Sequence, residues 1–215
     1  MVEGLKLFRL GPVFAALALA SHLHAQPQSG QAEVRGIMGG VMFSTAGDAA
    51  APLRVGMVLN PGSVIKTSGG SAVDLYLGEG AGTVRMTANS TLAIDKLVRS
   101  SAGPGAVEEV QLYLPEGTLL GFGNKMSDLT KYQVKVANGI AGIHSAGFRI
   151  NSQGFVVVIE GELAFAYVPS EGKAVPLKLH APPAVYFSPV EGVVQAPRAL
   201  VSEVANQSKG KLRAR

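Results

Sequence analysis

Between Val73 and Tyr167 apolar residues recur at every second position in short runs, and each run stops at glycine, asparagine or proline. A two-residue period turns successive side chains to opposite sides of an extended chain, so one side can be buried while the other meets water. In SAVDLYLG, Val73, Leu75 and Leu77 share one side, with Asp74 and Tyr76 on the other. EVQLYLPEG sets Val110, Leu112 and Leu114 against Gln111 and Tyr113, and KYQVKVANG sets Tyr132, Val134 and Val136 against Gln133 and Lys135. The breaks at Gly78-Glu79-Gly80, Pro115-Glu116-Gly117 and Asn138-Gly139 are turn chemistry. No segment between the leader and residue 198 sustains a helical period, so the chain is predicted to be all-β, with many short strands.

FRINSQGFVVVIEGELAFAYV is the clearest hairpin. Phe148 and Ile150 lead into the turn Asn151-Ser152-Gln153-Gly154, and the apolar run Phe155 to Ile159 predicts a strand covered on both faces. Glu160-Gly161 is read as a second turn, followed by Leu163, Phe165 and Tyr167 on one side and Ala164 and Ala166 on the other. RSSAGPGA at 99–106 lacks apolar anchors and is expected to be a mobile surface loop.

The N-terminus reads as a secretory leader. Lys6 and Arg9 precede the apolar run Val13–Ala20, and Ala25 ends the segment. The run falls short of the about 20 apolar residues that span a bilayer. Residues 1–25 are therefore read as a signal peptide, 26–32 as a linker, 33–168 as the main β domain, 169–201 as a β extension and 202–215 as a basic flexible tail. Loss of Lys6, Arg9 and Glu3 takes the basic residues from 19 to 17 and the acidic from 15 to 14, leaving a net charge of +3. That balance offers no field for nucleic acid. With no cysteine, the exported chain has no disulfide, thiolate or lipid attachment point and relies on its core. A periplasmic or secreted location follows, with no membrane-spanning segment after cleavage. Lys209, Lys211, Arg213 and Arg215 could add weak attraction to an anionic surface.

Two short strings invite a catalytic reading. GIHSAG at 142–147 resembles a nucleophile elbow, with Ser145 as nucleophile, His144 or His180 as base and Asp48, Asp74, Asp95 or Asp128 behind it. An elbow needs a glycine where Ile143 stands and a helix where Phe148-Arg149-Ile150-Asn151 alternates as a strand. Ser63-Val64-Ile65-Lys66 has the S-x-x-K spacing, which pairs serine with lysine only on a helix. His144 and His180, the histidines that survive removal of the leader, have no ligand spacing for a metal, and His180 beside Pro182 and Pro183 is read as a turn residue. No catalytic, cofactor or metal residue is assigned. Tyr76, Tyr113 and Tyr186 could stack on sugar rings if they share a surface.

Over about residues 33–168 the order of these pieces resembles the FecR-type domain. The resemblance rests on LRVGMVLNPGSVIKTSGGSAVDLYL with Gly56, Gly62, Thr67, Gly69 and Gly70, then VRMTANSTLAI, then VQLYLPEGTLLG, then VKVANGIAGIHSAGFRI and FVVVIEGELAFAY with Glu160-Gly161. The family usually has Arg-Gly-Thr before the position of Phe148, where this chain has His144-Ser145-Ala146, here expected to be a structural turn. The resemblance implies a solenoid-like or twisted two-sheet sandwich arrangement of the strands, and a domain that works by contact, as in sensors that couple an outer-membrane transducer to a sigma factor. Because this chain has a cleavable leader in place of the cytoplasmic and membrane parts, it resembles the stand-alone exported members. The expected function is a non-enzymatic module binding a protein or an envelope polymer, with an accessory role in envelope signalling or assembly. The alternatives are an envelope-acting hydrolase using Ser145 and His144, and a self-associating structural protein.

Overall fold

The computed structural model describes residues 28–99, 107–122 and 130–209. The leader, most of the 99–106 loop and residues 210–215 lie outside them. The chain forms β1 (Gln28–Ser29), β2 (Ala32–Met38), β3 (Val41–Thr45), β4 (Ala51–Pro52), β5 (Val58–Leu59), β6 (Ser63–Thr67), β7 (Ala72–Gly78), β8 (Gly82–Met86) and β9 (Thr91–Arg99). It continues through β10 (Val107–Glu116), β11 (Thr118–Phe122), β12 (Lys131–Val136), β13 (Gly139–Asn151), β14 (Val156–Tyr167), β15 (Val175–Ala181), β16 (Val185–Ser188) and β17 (Gly192–Gln195), and ends in α1 (Arg198–Lys209).

The ladders make one hydrogen-bonded surface curled into two facing layers. The first sheet runs β4-β3-β6-β9-β10-β12 and then the early half of β13, the late half of β14, and β15. The second runs β5-β2-β7-β8-β11, then the late half of β13, the early half of β14, β16 and β17. The residues that alternate in the sequence meet between them: Ile65, Leu92, Leu112 and Val134 from the first sheet, Val34, Leu75, Val84 and Ile150 from the second, all essentially without exposure. The alternation, the all-β class and the doubly covered Val156–Val158 run are as expected.

The chain changes sheets repeatedly, and its crossings stack into a polar spine. Gly40 N–H donates to Ser71 Oγ at 2.9 Å, and Ser68 Oγ donates to the Gly40 carbonyl at 3.1 Å. Thr67 Oγ1 donates to the Thr87 carbonyl at 2.6 Å and accepts from Ser90 N–H at 2.9 Å. Thr118 N–H donates to Ser90 Oγ at 3.0 Å, and Ser152 N–H reaches the Gly117 carbonyl at 3.0 Å. The spine ends where Asn138 Nδ2 donates to the Gln153 carbonyl at 2.7 Å, so the turns at the two ends of β13 touch. Hydroxyls that satisfy neighbouring backbone let corners pack without stranding polar groups. The glycine, serine and threonine motifs of the sequence are these corners: Gly62 and Gly70 are at φ 90° and 69°, and Gly69 is exposed beside Asn89.

The structure departs from the sequence reading in five places. Glu160-Gly161 is no turn, because β14 runs unbroken from Val156 to Tyr167. His144-Ser145-Ala146 is likewise inside the continuous β13. Arg99 ends β9, paired with Gln28 and Val107, and the 26–32 linker contains β1 and the fully buried Ala32. The tail expected from residue 202 is helical through Lys209. Leu200 and Val204, four apart, face the protein, and Val204 is fully buried. The Pro197 carbonyl accepts the first helical bond from Val201 at 3.1 Å. Residues 169–201, read as a β extension, carry β15, β16 and β17, which extend both sheets.

Candidate functional site

The bend of the β13–β14 hairpin explains the GIHSAG string. Register slips by one residue between Ile143↔Leu163 and Ser145↔Glu162, leaving His144 as the extra residue, and again between Gly147↔Glu160 and Phe148↔Val158. Paired bulges turn the hairpin from the first sheet into the second, the usual device at sheet corners. Gly161 has φ 79°, and a Cβ there would run into the Ser145 carbonyl oxygen. Ser145 thus serves the bend through its backbone. Phe148 is wholly buried, edge-on to Tyr132 of the opposite layer at 6.4 Å, over a cross-strand Gly121 whose missing Cβ leaves room for the ring.

The outer side of the bend carries exposed His144, half-buried Ser145, exposed Glu162 and, opposite Glu162, exposed His180. His180 is a strand residue, not the turn residue expected. Glu162 lies between Ser145 and His180, which puts those two side chains two strands apart, about 9–10 Å. Asp74 is held by Arg85, Asp48 is in the turn after β3, Asp95 is on β9, and Asp128 lies outside the described residues. Ser63 is buried and Lys66 exposed on the strand β6, on opposite faces as expected. Among the described residues no group of three metal-ligating side chains is placed to hold an ion, and no helix is long and apolar enough to cross a membrane.

The two outer faces differ in what covers them. On the second sheet one row crosses seven strands: Asp74, Arg85, Leu120, Arg149, Val157, Tyr186 and Val194. Helix α1 lies on it. Val204 packs on Leu120 and Val157, flanked by Leu200, Phe122, Phe155, Ile159 and Tyr186. Arg85 grips Asp74 at 2.6 and 2.7 Å and also donates to the Gln207 carbonyl in the last turn of the helix. A cation at a helix C-terminus is favourably placed. Arg149 pairs with Glu203 at 3.1 Å. No period in the sequence announces this seat, because its residues come from six separated strands.

On the first sheet no element among the described residues covers the corresponding rows. Ala93, Tyr113, Lys135, Ile140, Ala166 and Pro176 form one, and Lys96, Gln111, Gln133, Gly142, Ala164 and Lys178 the next. Lys96 meets Glu109 at 2.5 Å, a hydrogen bond that holds the Glu109 carboxyl below its ordinary range. β15 forms the margin, hydrogen-bonded to β14 alone among the described residues; Val175 on it, Val168 just past the end of β14 and Ile140 two strands in on β13 are 44%, 47% and 42% exposed. The three tyrosines do not share a surface. Tyr113 is on this face with Lys135 at 5.4 Å; Tyr76, under Arg35, and Tyr186, stacked on Phe155 at 5.3 Å, are on the other.

No family model matches the chain and no curated protein matches it. Two crystal structures of a candidate anti-sigma factor from Parabacteroides distasonis ATCC 8503, at 1.65 and 2.50 Å resolution, are similar to it at 12% identity with a TM-score of 0.44. The similarity covers 62% of this chain and 58% of those chains, less than two thirds of their length. It is a likeness of outline and assigns no role.

Proposed function

We propose that the chain is an exported contact module, acting by binding a protein in the cell envelope and not by turnover. The observation that carries this is the margin of the first sheet, where among the described residues the seven-residue β15 has one free edge, with Val175 on it and Val168 and Ile140 exposed behind it. A free edge takes up an extended segment of a partner through main-chain hydrogen bonds, with neighbouring side chains supplying selectivity. Pro176 lacks a donor and Lys178 adds a charge, which restricts the register a partner can adopt and guards the edge against indiscriminate pairing. The leader and the FecR-type resemblance support an envelope setting with an accessory part in signalling or assembly.

The test is affinity capture from envelope extracts with the purified chain and with an Ile140→Lys/Val175→Lys variant. A partner retained by the first and lost by the second is the expected result. Equal capture by both, or no specific capture across a range of salt, overturns the reading. Edman sequencing of the exported chain, expected to begin at Gln26, tests the location.

A further inference from the structure

We propose that the outer face of the second sheet is a helix-binding groove that α1 holds shut, and that its partner is an amphipathic helix bearing the same signature as α1. This surface is separate from the β15 edge, and the inference stands apart from the function proposed there.

The seat is built to read a helix. Leu120 and Val157 form an apolar floor, flanked by Phe122, Phe155, Ile159 and Tyr186, and they take aliphatic side chains spaced by one turn. Asp74 engages two nitrogens of Arg85 and leaves the third directed at a last-turn carbonyl, a group every helix presents unpaired at its C-terminus. Arg149 selects an acidic residue one position before the buried valine. A matching partner helix therefore carries aliphatic residues four apart, an acid immediately before the second, and its last turn three residues further on.

The cis occupant is suited to leaving. α1 is tethered to β17 by Ala196 and Pro197 alone, and Val204 is the one fully buried side chain among those described in it. A helix of twelve residues is marginal in water without a surface to lie on, so α1 folds and releases as a unit with its seat. Release uncovers a contiguous apolar strip bounded by the Asp74–Arg85 pair, the kind of patch that marks an interaction site.

Fluorescence anisotropy of a labelled peptide spanning residues 196–209 tests this against the full chain and a full-length Val204→Glu variant, which unseats α1 while leaving the groove intact. The variant is expected to bind the peptide at least tenfold more tightly than the unaltered chain. Arg85→Ala added to the variant, or Glu203→Lys in the peptide, should weaken binding at least fivefold. A folded Val204→Glu chain that binds no better than the unaltered one overturns the proposal. Native-state hydrogen exchange on the unaltered chain decides the matter if that variant fails to fold. Amides of α1 are expected to exchange at least tenfold faster than those of β11 and β14, and equal protection overturns the proposal.

Discussion

The two outer faces follow the same alternation and share the strands β13 and β14, yet among the described residues one is roofed and the other is not. The centre of the roofed row is Leu120 and Val157, both without exposure, and among the described residues α1 covers them. The centre of the open rows is Gly142, Ala164 and Ala166, flanked by lysines, glutamines and Tyr113. Small residues add little apolar area, and long amphipathic ones cover what there is while keeping their polar ends wet. A sheet face thus needs a roof according to the size of the side chains at its middle strands.

Placing a charge on each face is the most severe way to break that contrast. Leu120→Asp is expected to cost at least about 4 kcal/mol in urea unfolding, by losing a buried leucine and desolvating a carboxylate, whereas Ile140→Asp should stay within about 0.5 kcal/mol. The ion pairs separate the faces next. Removing Arg85, whose side chain is 12% exposed, leaves Asp74 uncompensated under the helix and should cost about 3 kcal/mol. Smaller again is the bend that joins the layers: Gly161→Ala forces a left-handed backbone and a clash with the Ser145 carbonyl, for a loss of about 2 kcal/mol. Gly142→Ala on the open face, where a Cβ meets only the Ala164 carbonyl at 3.8 Å, should melt near the unaltered chain.

Between the layers, Tyr132 is buried with no partner for its hydroxyl, and burial pushes that phenol far above its ordinary range. Tyr132→Phe is expected to stabilise the protein by about 1 kcal/mol, raising the melting midpoint by roughly 2–4 °C. The smallest effect belongs to the open face. Glu109 is depressed by its hydrogen bond to Lys96, so its contribution is present above the ordinary carboxylate range and fades as pH falls through its lowered value. Being solvent-screened, the pair should contribute under about 1 kcal/mol. The stability gap between the unaltered chain and Glu109→Gln should close on acidification and narrow in high salt.

The residues of the GIHSAG string stand where the hairpin bends. In the sequence His144 and Ser145 read as a turn between strand runs and His180 as a turn residue, whereas Ser145, Glu162 and His180 line one row of strand residues across the bend. What could not be read was that His144 is the extra residue of a bulge. A bulge is decided by how many residues the opposite strand offers, and β14 lies beyond an intervening turn. Glu160-Gly161 misled for the same reason, since a left-handed glycine between two strand-like runs looks alike whether the chain reverses or merely bends.

The sequence by itself determined that the alternating runs between Val73 and Tyr167 are strands, which side of each is buried and where several of the polar corners fall, because a two-residue period and the backbone needs of glycine are local properties. Tertiary structure alone decided where the layers join, which outer face is roofed, and that residues 198–209 are a helix. Three aliphatic residues on a short polar segment do not hold a helix in water. They hold one against Leu120 and Val157, which two different strands, far apart in the chain, bring together.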